Sequence, residues 1–293
     1  MRSKIDRSSV GYWFISPFFL FFAIFGAAPI VYTFYLSLHK WDGFNDSVYV
    51  GWANYERLLH DHMFLLTIGN TLIIWIFSIV PQLTIALVLA LILNERFVRG
   101  KHFFRAVYYF PHIVTPVTLG VMFSLMFDWQ TGSVNKLFMA AGLIGEHVDW
   151  LGDVWLSRII VAAVIMWQYF GFNLLVFIAG LQSISQEVYE AAEIDGATKP
   201  QIARFITLPL LRPVFIFTFV TSVIGGLKLF DAPLMLGNGP ENATRTMSMY
   251  LYQTSFLQFD YSYGATIAYG IFAIIIAATM ISLWASKMNK REA

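Results

Sequence analysis

Residues 62–94 read HMFLLTIGNTLIIWIFSIVPQLTIALVLALILN, a stretch from His62 to Asn94 without one Asp, Glu, Lys or Arg. About 20 mostly apolar residues carry a helix through a hydrocarbon layer ~30 Å thick. This stretch exceeds that length, so it predicts a membrane span. Working outward, five more stretches share its character. Ser8–His39 precedes it, and Ala106–Phe127, Ile159–Gln186, Val214–Leu236 and Tyr261–Ser286 follow. Among these only Val214–Leu236 contains charge, at Lys228 and Asp231. The predicted spans are 11–38, 64–93, 106–127, 159–181, 214–236 and 262–286, within a single transmembrane domain over 1–293. The fold class is an all-α integral membrane protein with six transmembrane helices.

Composition agrees. Across 293 residues, 58% are hydrophobic and 13% charged, against roughly 25% charged in soluble domains. That excludes an ordinary soluble enzyme, a disordered chain and a nucleic-acid binder, and a net charge of +1 offers nucleic acid no basic surface. The absence of cysteine excludes disulfide scaffolds, thiolate metal sites and cysteine nucleophiles. The histidines show no i, i+4 pair, and His60 and His62 merely flank Asp61 in a polar stretch, so no metal site is expected. Arg2, Lys4 and Arg7 precede the first stretch as they would in a signal peptide. Its apolar part is longer than the ~7–15 residues of such a signal, so an uncleaved helix is expected.

Orientation follows from where Lys and Arg fall. Thirteen lie on one set of segments: Arg2, Lys4 and Arg7; Arg96, Arg99, Lys101 and Arg105; Lys199, Arg204 and Arg212; Lys287, Lys290 and Arg291. Lys40, Arg57, Lys136, Arg158 and Arg245 lie on the other, beside Trp41, Trp52, Trp129, Trp150 and Trp155. Both termini are therefore expected in the cytoplasm. Pro17, Pro29, Pro81, Pro111, Pro116 and Pro233 sit in or beside spans, where neighbouring helices can satisfy the carbonyls that proline frees. Kinked helices round a path are one reading; prolines at span ends suit Pro17 and Pro111 equally.

Between spans four and five, on the cytoplasmic side, lies SQEVYEAAEIDGATKPQIARFITLP, Ser185–Pro209. Local rules make it a hairpin of two short helices. Ser185 caps the first, with Glu187 in its opening turn, and Gly196 stops it. Thr198 and Gln201 have capping-box spacing, Pro200 fits the first turn of the second helix, and Pro209 is expected to end it. Val188, Ala191, Ala192 and Ile194, with Ile202, Phe205 and Ile206, are expected to hold the hairpin to the bundle, leaving Glu187 and Glu190 facing the cytoplasm. A plain amphipathic surface hairpin and a knob for a partner's groove both fit this chemistry.

Glu190-Ala191-Ala192, then Gly196, then Ile206-x-Leu208-Pro209 resemble the EAA signature of binding-protein-dependent ABC importer permeases. The flanks are similar to the sugar-uptake branch, of maltose and glycerol-phosphate type. They include Gly51-Trp-Ala-Asn-Tyr-Glu-Arg-Leu-Leu59, Asn70-Thr71-Leu72, and Arg99-Gly100 through Arg105 to Pro111. Gly132-Ser-Val-Asn135, Trp150-Leu151, Leu227-Lys-Leu-Phe-Asp231 and Gly237-Asn-Gly-Pro240 complete them. The resemblance covers about residues 8–287. One departure is Asn238, which interrupts the usual Gly-Gly-Pro and makes the outer end of span five its weakest part.

The resemblance implies a type I importer permease in the plasma (inner) membrane, carrying a sugar or sugar derivative inward by alternating access. The implied partners are a second, usually different permease subunit, two cytoplasmic ATPases and an external sugar-binding protein, besides membrane lipid. No cofactor is expected on this chain. Gly100-Lys101 is followed by His102, and no phosphate-cradling loop occurs, so ATP and Mg fall to the partner ATPase. The implied coupling residues are Glu187, Glu190, Ala191, Ala192, Asp195, Gly196, Ile206, Leu208 and Pro209.

For the sugar path, Lys228 and Asp231 stand three apart on an expected helix, where a buried charge needs a reason. They serve either sugar hydroxyls or a helix-positioning ion pair. Trp167, Tyr169, Phe172 and Asn173 in span four offer aromatic faces and an amide, either for sugar or for packing. A membrane enzyme would need paired acids or a Ser/His set in the spans, and none occurs. An ion-coupled secondary transporter is the alternative, with Asp231 its only intramembrane carboxylate and no internal repeat to support it.

Overall fold

The computed structural model describes residues 7–95 and 97–288. Arg2, Lys4, Arg96, Lys290 and Arg291 of the cationic count lie outside them. The described chain is helical apart from one short antiparallel ladder, β1 (His39–Lys40) with β2 (Val48–Tyr49). Five helices are long and apolar enough to cross a membrane: α1 (Gly11–Ser37), α3 (His62–Asn94), α7 (Val154–Gln182), α9 (Lys199–Gly226) and α12 (Tyr261–Ser286). A further pair, α4 (Lys101–Ile113) and α5 (Pro116–Met126), passes only together and is bent by 90°. Shorter helices are α2 (Ala53–His60), α6 (Ser133–Ala140), α8 (Gln186–Ile194), α10 (Asp231–Leu236) and α11 (Met247–Tyr252).

Where the sequence reads as one bundle, the chain divides into two compact units, residues 1–62 with 251–272 and residues 63–250 with 273–293. Helices α3 and α12 run through the boundaries, so no linker composition marks them. In the first unit α2 is clasped to the start of α12. Arg57 pairs with Asp260 at 2.9 Å and lies 3.6 Å over the Tyr263 ring, while the Tyr263 hydroxyl donates to Asp61. The Asn54 amide donates to the Ser37 and His39 carbonyls, which gives the Gly51–Leu59 block a structural role.

The second unit is built on α3, α7 and α9. Ile79, Leu83, Ala86 and Ala90 of α3 pack with Leu174, Phe177 and Ile178 of α7 and Leu211 of α9. Helix α4 crosses α7 at Gly171, where a Cβ would overlap the Tyr108 carbonyl. Asn135 is fully buried; it donates to the Trp129 and Val148 carbonyls and accepts from Trp150 Nε1 at 2.7 Å. Asn70 donates to the Asn242 and Arg245 carbonyls and accepts from Arg158 at 2.8 Å. In the Gly237-Asn-Gly-Pro240 loop both glycines, at φ +91° and +65°, occupy conformations an L residue rarely adopts. The departure at Asn238 therefore keeps glycine where the backbone needs it.

Three expectations change. The third segment is not one helix: Val114 and Thr115 are extended, as the residues before Pro116 should be, and Thr115 caps α5 by accepting from the Thr118 N–H. The fifth segment does not stay helical to 236. Helix α9 stops at Gly226 and the chain leaves helical geometry until Asp231 opens α10. Nor does Pro209 end a helix. A π-helical turn over Ala203–Thr207 precedes it, with the Leu208 N–H bonded to the Ala203 carbonyl, and the helix continues through Pro209 and Pro213. A widened turn relieves the clash between the proline ring and the preceding carbonyls. Pro29 uses the same device after a π turn over Ala23–Ala27.

Candidate functional site

The hairpin forms as its sequence predicts at the caps. Ser185 Oγ accepts from the Glu187 N–H at 3.3 Å. Gly196, at φ +79°, ends α8; its N–H bonds the Glu193 carbonyl and the Ala197 N–H bonds that of Ala192 at 3.0 Å. This paired closure satisfies carbonyls left open at the helix end. The Thr198 N–H donates to Gln201 Oε1 at 2.8 Å, and α9 starts.

The apolar face differs from expectation. Ala192 and Ile202 are buried, but Ile194 and Phe205 are 86% and 68% exposed, and Val188 and Ala191 are also exposed. In so short a helix, Tyr189 and Ala192 (i, i+3) set the inward face, so 188, 191 and 194 fall outward. The outward surface is a continuous apolar stripe with Leu208 and Pro209 exposed and Ile206 half-buried beside it. Glu187 and Asp195 are exposed at its ends. Glu190, also exposed, accepts from Gln186 at 2.7 Å and lines a cleft of about 700 Å³ beneath the hairpin. Across that cleft Lys199 pairs with Glu95 at 2.9 Å, tying the hairpin to the end of α3.

A second cavity, about 200 Å³, lies among α3, α4, α7 and α9. Tyr169, Phe172 and Asn173 line it as the sequence suggests. Trp167 does not; its ring packs edge-on to Phe123. Lys228 and Asp231 do not line it either, and they share no helical face. Gly225 and Gly226 close α9, Lys228 falls in the turn beyond, and Asp231 begins α10, both side chains exposed. The pairing assumed helical continuity that two glycines break.

Sequence reasoning missed Trp75, Ser78 and Gln82 from α3, His112 from α4, and Thr221 and Ser222 from α9, all of which line the cavity. Trp75, Ser78 and Gln82 repeat at helical spacing, a polar stripe inside an apolar run that could have marked them. His112 had been read as a hydrogen-bonded structural residue. Its ring instead stacks on Phe172 with centroids 5.1 Å apart, and its Nδ1 is buried without a protein partner. Trp75 Nε1 and Asn173 Nδ2 are buried and unpartnered as well, and Asn173 is only 3% exposed. None of the lining residues is Asp, Glu, Lys or Arg. The cavity thus offers uncharged polar groups between aromatic faces.

Against known proteins, residues 70–288 match the family model described as "Binding-protein-dependent transport system inner membrane component". The chain is similar to the lactose transport system permease LacF of Rhizobium radiobacter, at 33% identity over 99% of this chain and 98% of that one. It is similar also to the arabinooligosaccharides transport system permease AraP of Bacillus subtilis (30%; 98% and 91% covered) and the trehalose/maltose permease MalF of Thermococcus litoralis (31%; 99% and 97%). A solved bacterial ABC transporter that imports the acidic polysaccharide alginate shares the fold, with a TM-score of 0.84 and 23% identity over 97% of both chains.

Proposed function

This chain belongs to the binding-protein-dependent transport system inner membrane components, and from that membership we propose that it forms one permease half of an ATP-driven sugar importer. It is a transport subunit and not an enzyme, and the ion-coupled alternative has no support. In this reading both termini and the Ser185–Pro209 hairpin face the cytoplasm. A second permease half, two ATPases that use ATP and Mg, and an external sugar-binding protein complete the assembly. ATP-driven closure moves the hairpin and rocks the permease halves between outward and inward states. Sugar biases that equilibrium only through unequal affinity for the two.

The observation that carries the sugar reading is the set of buried, unpartnered Trp75 Nε1, His112 Nδ1 and Asn173 Nδ2 beside Tyr169 and Phe172. A buried polar group left unpaired costs about 1–3 kcal/mol, and sugar hydroxyls supply both donors and acceptors. Aromatic rings cover the sugar's C–H faces. The relatives' sugars, lactose and arabinooligosaccharides among them, support the same class. For the hairpin, the exposed stripe from Val188 to Ile194 and Phe205 is apolar surface that an ATPase groove would cover.

The test is sugar uptake and ATP hydrolysis by the reconstituted importer. Trp75→Phe and Asn173→Leu are expected to lower sugar uptake at least tenfold while the complex still assembles. Glu190→Lys is expected to stop uptake while leaving insertion intact. Unchanged uptake rate and affinity in both cavity variants would move the sugar elsewhere.

A further inference from the structure

Helix α4 carries a cationic end that nothing so far uses. Arg99, Lys101 and Arg105 lie within seven positions, and none forms an ion pair among the described residues. Lys101 Nζ donates only to the Asn94 carbonyl, at 3.2 Å, and Arg105 Nε is buried without a partner. The nearby Glu95 carboxylate is already paired with Lys199.

From these cations an apolar stripe runs along the same helix: Phe103, Val107 and Phe110, at i, i+4 and i+7. Phe103 and Phe110 are 69% and 60% exposed. Phe103 to Ile113 spans roughly 15 Å at helical rise, which is the hydrocarbon depth of one leaflet. There the chain turns by 90° into α5. The face therefore begins in positive charge, continues as acyl-length apolar surface and ends where one leaflet ends.

We propose that this face of α4 is a binding site for an anionic phospholipid of the cytoplasmic leaflet. Its phosphate would sit at Arg99, Lys101 and Arg105, with an acyl chain along Phe103–Phe110. Charge complementarity selects the occupant, because a zwitterionic headgroup leaves three cations uncompensated. Arg105, one turn deeper than Lys101, reaches the headgroup by extending along the helix toward the interface. The site rests on the cytoplasmic placement of residue 99 given above.

The experiment is native mass spectrometry of the whole importer, purified in mild detergent and offered equal phosphatidylglycerol and phosphatidylcholine. Wild type is expected to retain phosphatidylglycerol preferentially. Each of R99Q, K101Q and R105Q lowers that retention roughly fivefold, as expected for one cation near an anionic surface, and Arg204→Gln leaves it unchanged. Short-chain phosphatidylglycerol binds more weakly than the long-chain lipid in wild type, and Phe103→Ser narrows that gap. R99Q, in a loop, serves if the helix variants fail to assemble. The proposal is overturned if R204Q and R99Q lose lipid equally, if no variant changes retention, or if inorganic phosphate displaces the lipid. Labelling of a His102→Cys thiol from outside sealed cells would instead overturn the orientation, and it is read separately from lipid retention.

Discussion

Asparagine does most of the polar work in this apolar chain. Asn54, Asn70 and Asn135 each donate to two backbone carbonyls, and Asn70 and Asn135 also accept a side-chain hydrogen bond. All three fall in blocks that carry the family resemblance, so their positions were legible in the sequence while their partners were not. Those partners lie up to 175 residues away in the chain. Asn173 was legible because an amide in a span needs a partner. His112 looked solitary because its neighbours, Tyr169 and Phe172, come from another helix. Asn135→Leu leaves Trp150 Nε1 and the Val148 N–H unpaired, at about 1–3 kcal/mol for each buried group. A lowered Tm is expected for the detergent-purified importer, with Asn135→Asp falling between because it keeps an acceptor. An unchanged Tm in Asn135→Leu would show that these bonds hold nothing in place.

Among elements, the long apolar helices were readable because length and absence of charge suffice to find them. Their interruptions were not. Proline at 209 was expected to stop the helix, yet the π turn over Ala203–Thr207 carries the chain through it, whereas Gly225-Gly226, expected only to loosen packing, ended it. One extra residue in a turn has a mechanical consequence. If that turn relaxed to ordinary α geometry, everything before it would rotate by about 100° relative to the helix beyond, one residue's share of a 3.6-residue turn. Pro209→Ala restores the missing N–H and removes the ring that favours the π turn. The expected outcome is an importer that assembles and hydrolyses ATP but moves severalfold less sugar per ATP, because the Glu190 hairpin points elsewhere. A wild-type ratio of sugar to ATP would show that the π turn does not set the hairpin's direction.

At the scale of the whole molecule, everything proposed for the hairpin depends on which side of the membrane it occupies, and helix geometry alone does not decide that. The argument rests on charge: thirteen Lys and Arg fall on the segments that include residue 198, and five on the others. The chain has no cysteine, so a single introduced thiol reports without background. Thr198→Cys places one at the exposed turn between α8 and α9, and Gly145→Cys places one in the exposed loop after α6, where an added side chain meets open space. In sealed cells an impermeant maleimide is expected to label Cys at 145 and to spare Cys at 198 until the membrane is opened. The reverse pattern would put the acidic hairpin outside, away from ATP, and the coupling role would fall whatever the local geometry. Labelling of both thiols before the membrane is opened would count equally against it, because the two would then share the accessible face and the alternation of spans between them would be lost.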